Sequence, residues 1–248
     1  MNLNDLSRRR FLATGSFGAV VATTGAYLTI DSGEVDHNQQ FLVQQSDVEL
    51  LVNWAEWYND TKLEDQASPV DVNGPLVDLR NVLPGDSGRL HFGLALGEQS
   101  TLDAAQLSMQ LVAPVSSYDE NGITEPEQMA GDTSVDQGEL QNLIQLRVWY
   151  DVGIMIGDTE FAGRCDGDFD PGETLVAAGS LADVADVLST WTPLDATPGV
   201  DGDSCVGQDE QLCIGIEWSF DPGTTDPVLA QTDSVDFQIG FRAESCSN

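Results

Sequence analysis

The order of apolar and polar residues along the chain points first to strands. From Asp47 to Trp54 the residues alternate, with Val48, Leu50, Val52 and Trp54 on one side of an extended backbone, the period of a half-buried strand. Arg89 to Leu96 repeats this, with Leu90, Phe92, Leu94 and Leu96 opposite His91, Gly93 and Ala95. Ala105 to Val112 and Leu212 to Phe220 read as two more strands, and Ser234 to Phe241 alternates strictly through Val235, Phe237, Ile239 and Phe241. Leu143 to Tyr150, aromatic and β-branched, predicts a central strand continuing towards Ile156. One stretch has helical spacing instead. After Ser180, which can cap the first turn, Leu181, Val184, Ala185 and Leu188 share a face.

The connections are long and acidic. Asn59 to Gly74 and Asp195 to Glu210 read as loops, Pro84-Gly85-Asp86 as a turn, and Ser116 to Gln137 as an acidic surface insertion. Many strands, one short helix and long acidic loops predict an all-β fold, an antiparallel β-sandwich. No internal repeat or second core divides the part after residue 30, so residues 31–248 read as a single β-sandwich domain.

Charge changes the picture. Of 248 residues, 42 are acidic and nine basic, a formal net charge of −33, and Lys62 is the single lysine. No basic surface is available to neutralise phosphates, which excludes nucleic acid as a partner, and a basic membrane-surface helix is excluded on the same ground. With 41% hydrophobic residues and five Trp, nine Phe and four Tyr, the chain can still fill a core. An acidic, lysine-poor sequence with a core points to a halophilic protein, because concentrated salt screens the self-repulsion that would open it in dilute buffer.

The N-terminus reads as an address. Ser7, Arg8, Arg9, Phe11 and Leu12 stand in the order of a twin-arginine export signal, and the longest nearly uncharged run, Ala13 to Ile30, follows them. Residues 1–30 are therefore expected to be a signal segment cleaved near Ala26. The alternative is a retained anchor, since such a run can just span a bilayer; the membrane would then be a partner only through this segment. Export places the mature chain outside the cell, in an oxidising setting. The four cysteines, Cys165, Cys205, Cys213 and Cys246, are even in number and lie in the second half, which predicts two disulfides. Three pairings are open. The favoured one joins Cys205 to Cys213, closing a Gly/Asp-rich loop, and Cys165 to Cys246, pinning the C-terminus.

Little catalytic chemistry is visible. His37 and His91 are far apart and lack the H-E-x-x-H spacing of a zinc protease; no G-x-S-x-G, P-loop or G-x-G-x-x-G occurs. His91 reads as a histidine on the polar face of a strand, with a hydrolytic triad around it the sharper alternative. Asp166, Asp168, Asp170 and Glu173 are the one group with ligand chemistry, because calcium takes six to eight hard oxygens. The spacing departs from an EF-hand, and a solvated acidic turn explains it equally well. Calcium is thus the one candidate cofactor.

Short motifs along most of the chain carry a family resemblance. Gly25-Ala26-Tyr27-Leu28-Thr29-Ile30-Asp31-Ser32-Gly33-Glu34 looks like the T-A-Y-F-S-D-x-E junction of haloarchaeal proteins with SipW-dependent-type signals. Asn38, Phe41 and Asp47 to Trp54 are similar to the opening strand that follows it, and Val82-Leu83-Pro84-Gly85-Asp86-Ser87-Gly88 to the next turn. Asp170-Pro171-Gly172-Glu173, Gly179-Ser180-Leu181 and Gln231-Thr232-Asp233-Ser234-Val235 add to it. The chain resembles the TasA/camelysin family, related to archaeal bundling pili. The resemblance implies a jelly-roll-like sandwich and, in filament-forming members, an N-terminal segment inserted as a strand into the next subunit. Here that donor would run from Asp31 to Val43, anchored by Val35, Phe41 and Val43. The expected function is a non-enzymatic, exported structural protein of the cell surface or biofilm matrix, self-associating into filaments or joining other surface proteins. A monomeric adhesion or ligand-binding module is the second reading, and a secreted hydrolase the third.

Overall fold

The computed structural model describes residues 39–246 apart from 46–47, 64–69, 72–73, 81, 99, 115–117, 121, 136, 157–158, 199–204, 222–226 and 231. The signal motif from Ser7 to Leu12, the cleavage region and Val35 lie outside the described residues.

In chain order the first strands are β1 (Gln39–Gln45), β2 (Val48–Tyr58), β3 (Thr61–Lys62), β4 (Val70–Asp71), β5 (Gly74–Arg80), β6 (Ser87–Leu96), β7 (Ala104–Val112) and β8 (Tyr118–Asp119). After helices α1 (Glu125–Ala130) and α2 (Leu140–Leu143) come β9 (Ile144–Tyr150), β10 (Val152–Ile156), β11 (Thr159–Arg164) and β12 (Leu175–Ser180). Helix α3 (Leu181–Val187), β13 (Thr192–Pro193), β14 (Cys205–Gly207), β15 (Gln211–Phe220), a 3-10 turn (Pro227–Ala230) and β16 (Ser234–Ser245) complete the fold.

These strands build an antiparallel β-sandwich. One sheet runs β1-β2-β6-β15-β9-β12, with β3 added to β2. The other runs β13-β7-β16-β5-β4, with β14 on β7 and β8 on β16. The alternation seen in the sequence is the cause. Val48, Leu50, Val52 and Trp54 of β2, Leu90 to Leu96 of β6, and Leu212 to Phe220 of β15 turn one side inward. They meet Leu107, Met109 and Leu111 of β7 and Val235, Phe237, Ile239 and Phe241 of β16 in one apolar cluster. Phe92 and Phe241 touch across the sheets with ring centroids 5.0 Å apart. Each buried side chain of this size contributes about 1.5–3 kcal/mol.

Beyond the short strands β3, β4 and β14 inside the expected loops Asn59 to Gly74 and Asp195 to Glu210, three expectations of the fold need correction. The acidic stretch Ser116 to Gln137 is not all surface loop: it contains β8, paired to β16, and α1, whose Thr124–Glu127 capping box is complete. Together with α2, this makes three short α-helices among the described residues rather than one. The T-x-x-E signature was legible but lies in a segment without apolar periodicity. The strand from Leu143 does not continue to Ile156. It ends at Tyr150, and β10 leaves to pair with β11 as a separate hairpin. The third correction concerns the disulfides.

Cys165 pairs with Cys213 and Cys205 with Cys246, at Cα separations of 5.5 and 6.3 Å. Proximity in sequence suggested Cys205–Cys213, but the two flank a connection that splits between sheets. Cys205 lies in β14 against β7, whereas Cys213 lies in β15 between β6 and β9. Cys213 therefore meets the loop covering the outside of its own sheet, and Cys205 meets the end of β16.

Candidate functional site

Two places hold the residues that the sequence singled out. The first is the sheet edge formed by β1. Its seven residues pair with β2 in unbroken antiparallel register, from Gln39 opposite Trp54 to Gln45 opposite Val48. Phe41 stands opposite Val52 and Val43 opposite Leu50, both core positions of β2. Two of the three expected donor anchors thus stand in register with core residues of β2 on an edge strand, and in this single chain that strand completes its own sheet. Only residues 46 and 47 separate it from β2.

The second place is the outer face of the same sheet. His91, Gly215 and Trp149 form a cross-strand row there. Gly215 is needed because Trp149 lies flat against it: a Cβ at that position would come within 2.7 Å of Trp149 Cη2. His91 is not on a polar face. It is fully buried, with Nε2 2.9 Å from Asp151 Oδ2, and Asp151 is buried too. The Asp151 carboxylate also accepts the N–H groups of Cys165 (2.8 Å) and Gly167 (2.7 Å). One buried carboxylate thereby clamps the loop after β11 onto the sheet, and the Cys165–Cys213 disulfide fastens it beside the clamp. A hydrolytic base must reach water and substrate; this imidazole reaches neither.

The proposed calcium loop covers this layer, and Asp166, Asp168 and Glu173 are engaged locally. Asp166 accepts the Asp168 N–H at 2.9 Å, and Asp168 pairs with Arg89. Glu173 accepts from the N–H groups of Val152, Gly153 and Asp170 at 3.1, 3.3 and 2.9 Å. Burial is the main cause that lifts the Glu173 carboxyl to about 7; Asp151 and Asp170 add to the rise, and the N–H groups oppose it. Burial, with Asp151, Asp168 and Asp170 nearby, also raises Asp166. Two of the few cations in the chain, Arg89 and Arg147, touch this loop. Arg147 lies over the Phe169 ring at 4.5 Å, while Arg89 and Lys62 lie over Trp57 at 5.5 and 5.6 Å. Phe169 in turn meets Trp149 edge-on at 5.5 Å. In so acidic a chain, scarce cations are placed where an acidic loop must fold back on its sheet.

Carboxylate oxygens converge elsewhere. Glu120, Glu139 and Asp233 bring theirs within 4.8 Å of one another at the end of the second sheet. No spacing along the chain signals this, because the three come from segments that only the fold joins. No family model matches the chain, and no curated protein matches it. Among the described residues, no helix is long and apolar enough to cross a membrane.

Proposed function

We propose that this chain is a non-enzymatic, exported structural protein of the cell surface or extracellular matrix, and that β1 is the strand through which copies join into filaments. The carrying observation is the position of β1: among the described residues it is an edge strand with β2 as its one pairing partner, two residues away along the chain. Releasing β1 exposes a row of unpaired N–H and C=O groups on β2, which the same strand of another copy satisfies with the same register. A contact of this kind does not close on itself and propagates as a filament. Two disulfides suit an oxidising compartment. The short motifs shared with the TasA/camelysin family and the twin-arginine-like start support the same reading, and the burial of His91 argues against the hydrolase. The pairing of β1 within its own chain favours the second reading, a monomeric adhesion or ligand-binding module.

Electron microscopy of the mature protein at multimolar salt decides between them. Filaments from the intact chain, and none from a variant lacking residues 31–43 that keeps its β-sheet circular dichroism, are the expected pair of results. Isolated particles from the intact chain, or filaments from the shortened one, would reject strand exchange.

A further inference from the structure

Among the described residues, Glu120 and Glu139 of the acidic stretch meet Asp233 with no lysine or arginine paired to them. Glu120 follows β8, Glu139 precedes α2, and Asp233 precedes β16. The structure holds these three segments together by backbone contacts aimed at Asp233. The Glu139 N–H donates to Asp233 Oδ2 at 2.6 Å, and Gly138 N–H donates to the Tyr118 carbonyl at 3.1 Å. Gly138 has no room for a side chain, since a Cβ there would sit 2.8 Å from Asp233 Cγ and from the Asp119 carbonyl oxygen.

The oxygens left over are the second observation. Asp233 is 1% exposed, and its Oδ1 has no hydrogen-bond partner. Oε2 of Glu120 and Oε2 of Glu139 are likewise buried without one. Beside them, Glu127 is 0% exposed. Its Oε2 closes the α1 capping box, while its Oε1 has no hydrogen-bond partner. Asp132 Oδ1 accepts the Ser134 N–H, and its Oδ2 is buried without a hydrogen-bond partner. Among the described residues no lysine or arginine pairs with any of these five acids. Leaving several buried carboxylate oxygens without donors is costly, because each has given up its hydration. A hard cation removes that cost by supplying charge and ligation together.

We propose that Glu120, Glu139 and Asp233 bind a calcium ion, with Glu127 and Asp132 supplying negative charge from α1 and the turn after it. The donors are oxygens only, come from three separate segments and lie in irregular backbone, which suits the flexible six-to-eight-oxygen coordination of calcium better than the strict octahedron of magnesium. The ion clips the 118–141 segment onto the start of β16. It is distinct from the Asp166–Glu173 loop, where Asp166 and Glu173 accept backbone N–H groups and Asp168 pairs with Arg89.

The test uses the full mature protein in multimolar sodium chloride, stripped with chelator and then titrated with calcium chloride by calorimetry, with metal content and thermal midpoint measured alongside. The expected result is one calcium per chain and a raised midpoint. Asp233→Asn should abolish both, and Glu120→Gln, at the half-exposed rim, should weaken binding about tenfold or more. Asp168→Asn in the other loop should leave both unchanged. No bound calcium in the intact protein, equal response to magnesium, or binding that Glu120→Gln leaves intact would overturn the proposal. The rim variant keeps the test valid should Asp233→Asn fail to fold.

Discussion

Removal of the Cys165–Cys213 bridge separates two accounts of what holds this sandwich. In the unfolded chain that bridge spans a sequence separation of 48, and chain entropy alone assigns its loss about 4 kcal/mol. The Cys205–Cys246 bridge spans 41, and the same reckoning gives about 4 kcal/mol again. Loop length therefore predicts equal effects. The folded structure does not. Cys213 is buried on β15, between β6 and β9, and its partner sits on the loop that Asp151 clamps over His91. Replacing both by alanine also leaves a small void, worth about 1 kcal/mol more, and loosens the cover of the outer face. Cys246, by contrast, fastens the strand end just after β16. The expected ranking is a loss of about 5 kcal/mol for Cys165→Ala with Cys213→Ala, against about 4 kcal/mol or less for Cys205→Ala with Cys246→Ala. Urea unfolding followed by tryptophan fluorescence, at fixed multimolar salt, measures both. Equal losses, or the reverse order, would refute the argument from burial. Peptide mapping checks the pairing beforehand: Asp166, Asp209, Glu210 and Glu244 allow cleavage at acidic residues to separate all four cysteines. A peptide joining Cys205 to Cys213 would refute the pairing itself.

Other outcomes follow from the same contacts. Gly215→Ala drives a methyl group into Trp149 at the middle of the first sheet and should cost about 1–3 kcal/mol of stability in the same urea assay; an unchanged midpoint would mean that the ring moves aside freely. Lowering the salt below about 1 M should unfold the mature protein, because repulsion within a chain of net charge −33 is then unscreened; full circular dichroism in dilute buffer would contradict it. The Glu173 carboxyl, normally near 4.5, is raised to about 7, and Asp236, raised by burial and by Asp78 against the pull of Arg80, lies at about 6. The folded state thus holds more protons than the unfolded one between about pH 4.5 and 7, so stability should fall as pH rises through that window. Glu173→Gln, which cannot ionise, should flatten part of the decline; an identical slope in the variant would exclude Glu173 as its source.

What the sequence by itself determined is what local periodicity can carry. Alternation along β2, β6, β15 and β16 specified strands, their inward faces and a sandwich core, because a period of two leaves a half-buried strand no other side to bury. Ser180 and the apolar face behind it specified α3 in the same way, through a cap and a stripe that neighbours in sequence supply. Everything that depends on which segments meet was decided by tertiary structure. His91 read as polar-facing because its strand neighbours imply one wet side, yet the β11–β12 loop, held by Asp151 and Cys165, makes that side dry. The disulfide partners followed from β14 and β15 parting into different sheets rather than from spacing. The converging carboxylates of Glu120, Glu139 and Asp233 lie up to 113 positions apart (233 − 120); in so acidic a chain their approach leaves no trace in sequence, because any loop holds acids and only the fold selects those that must share one space.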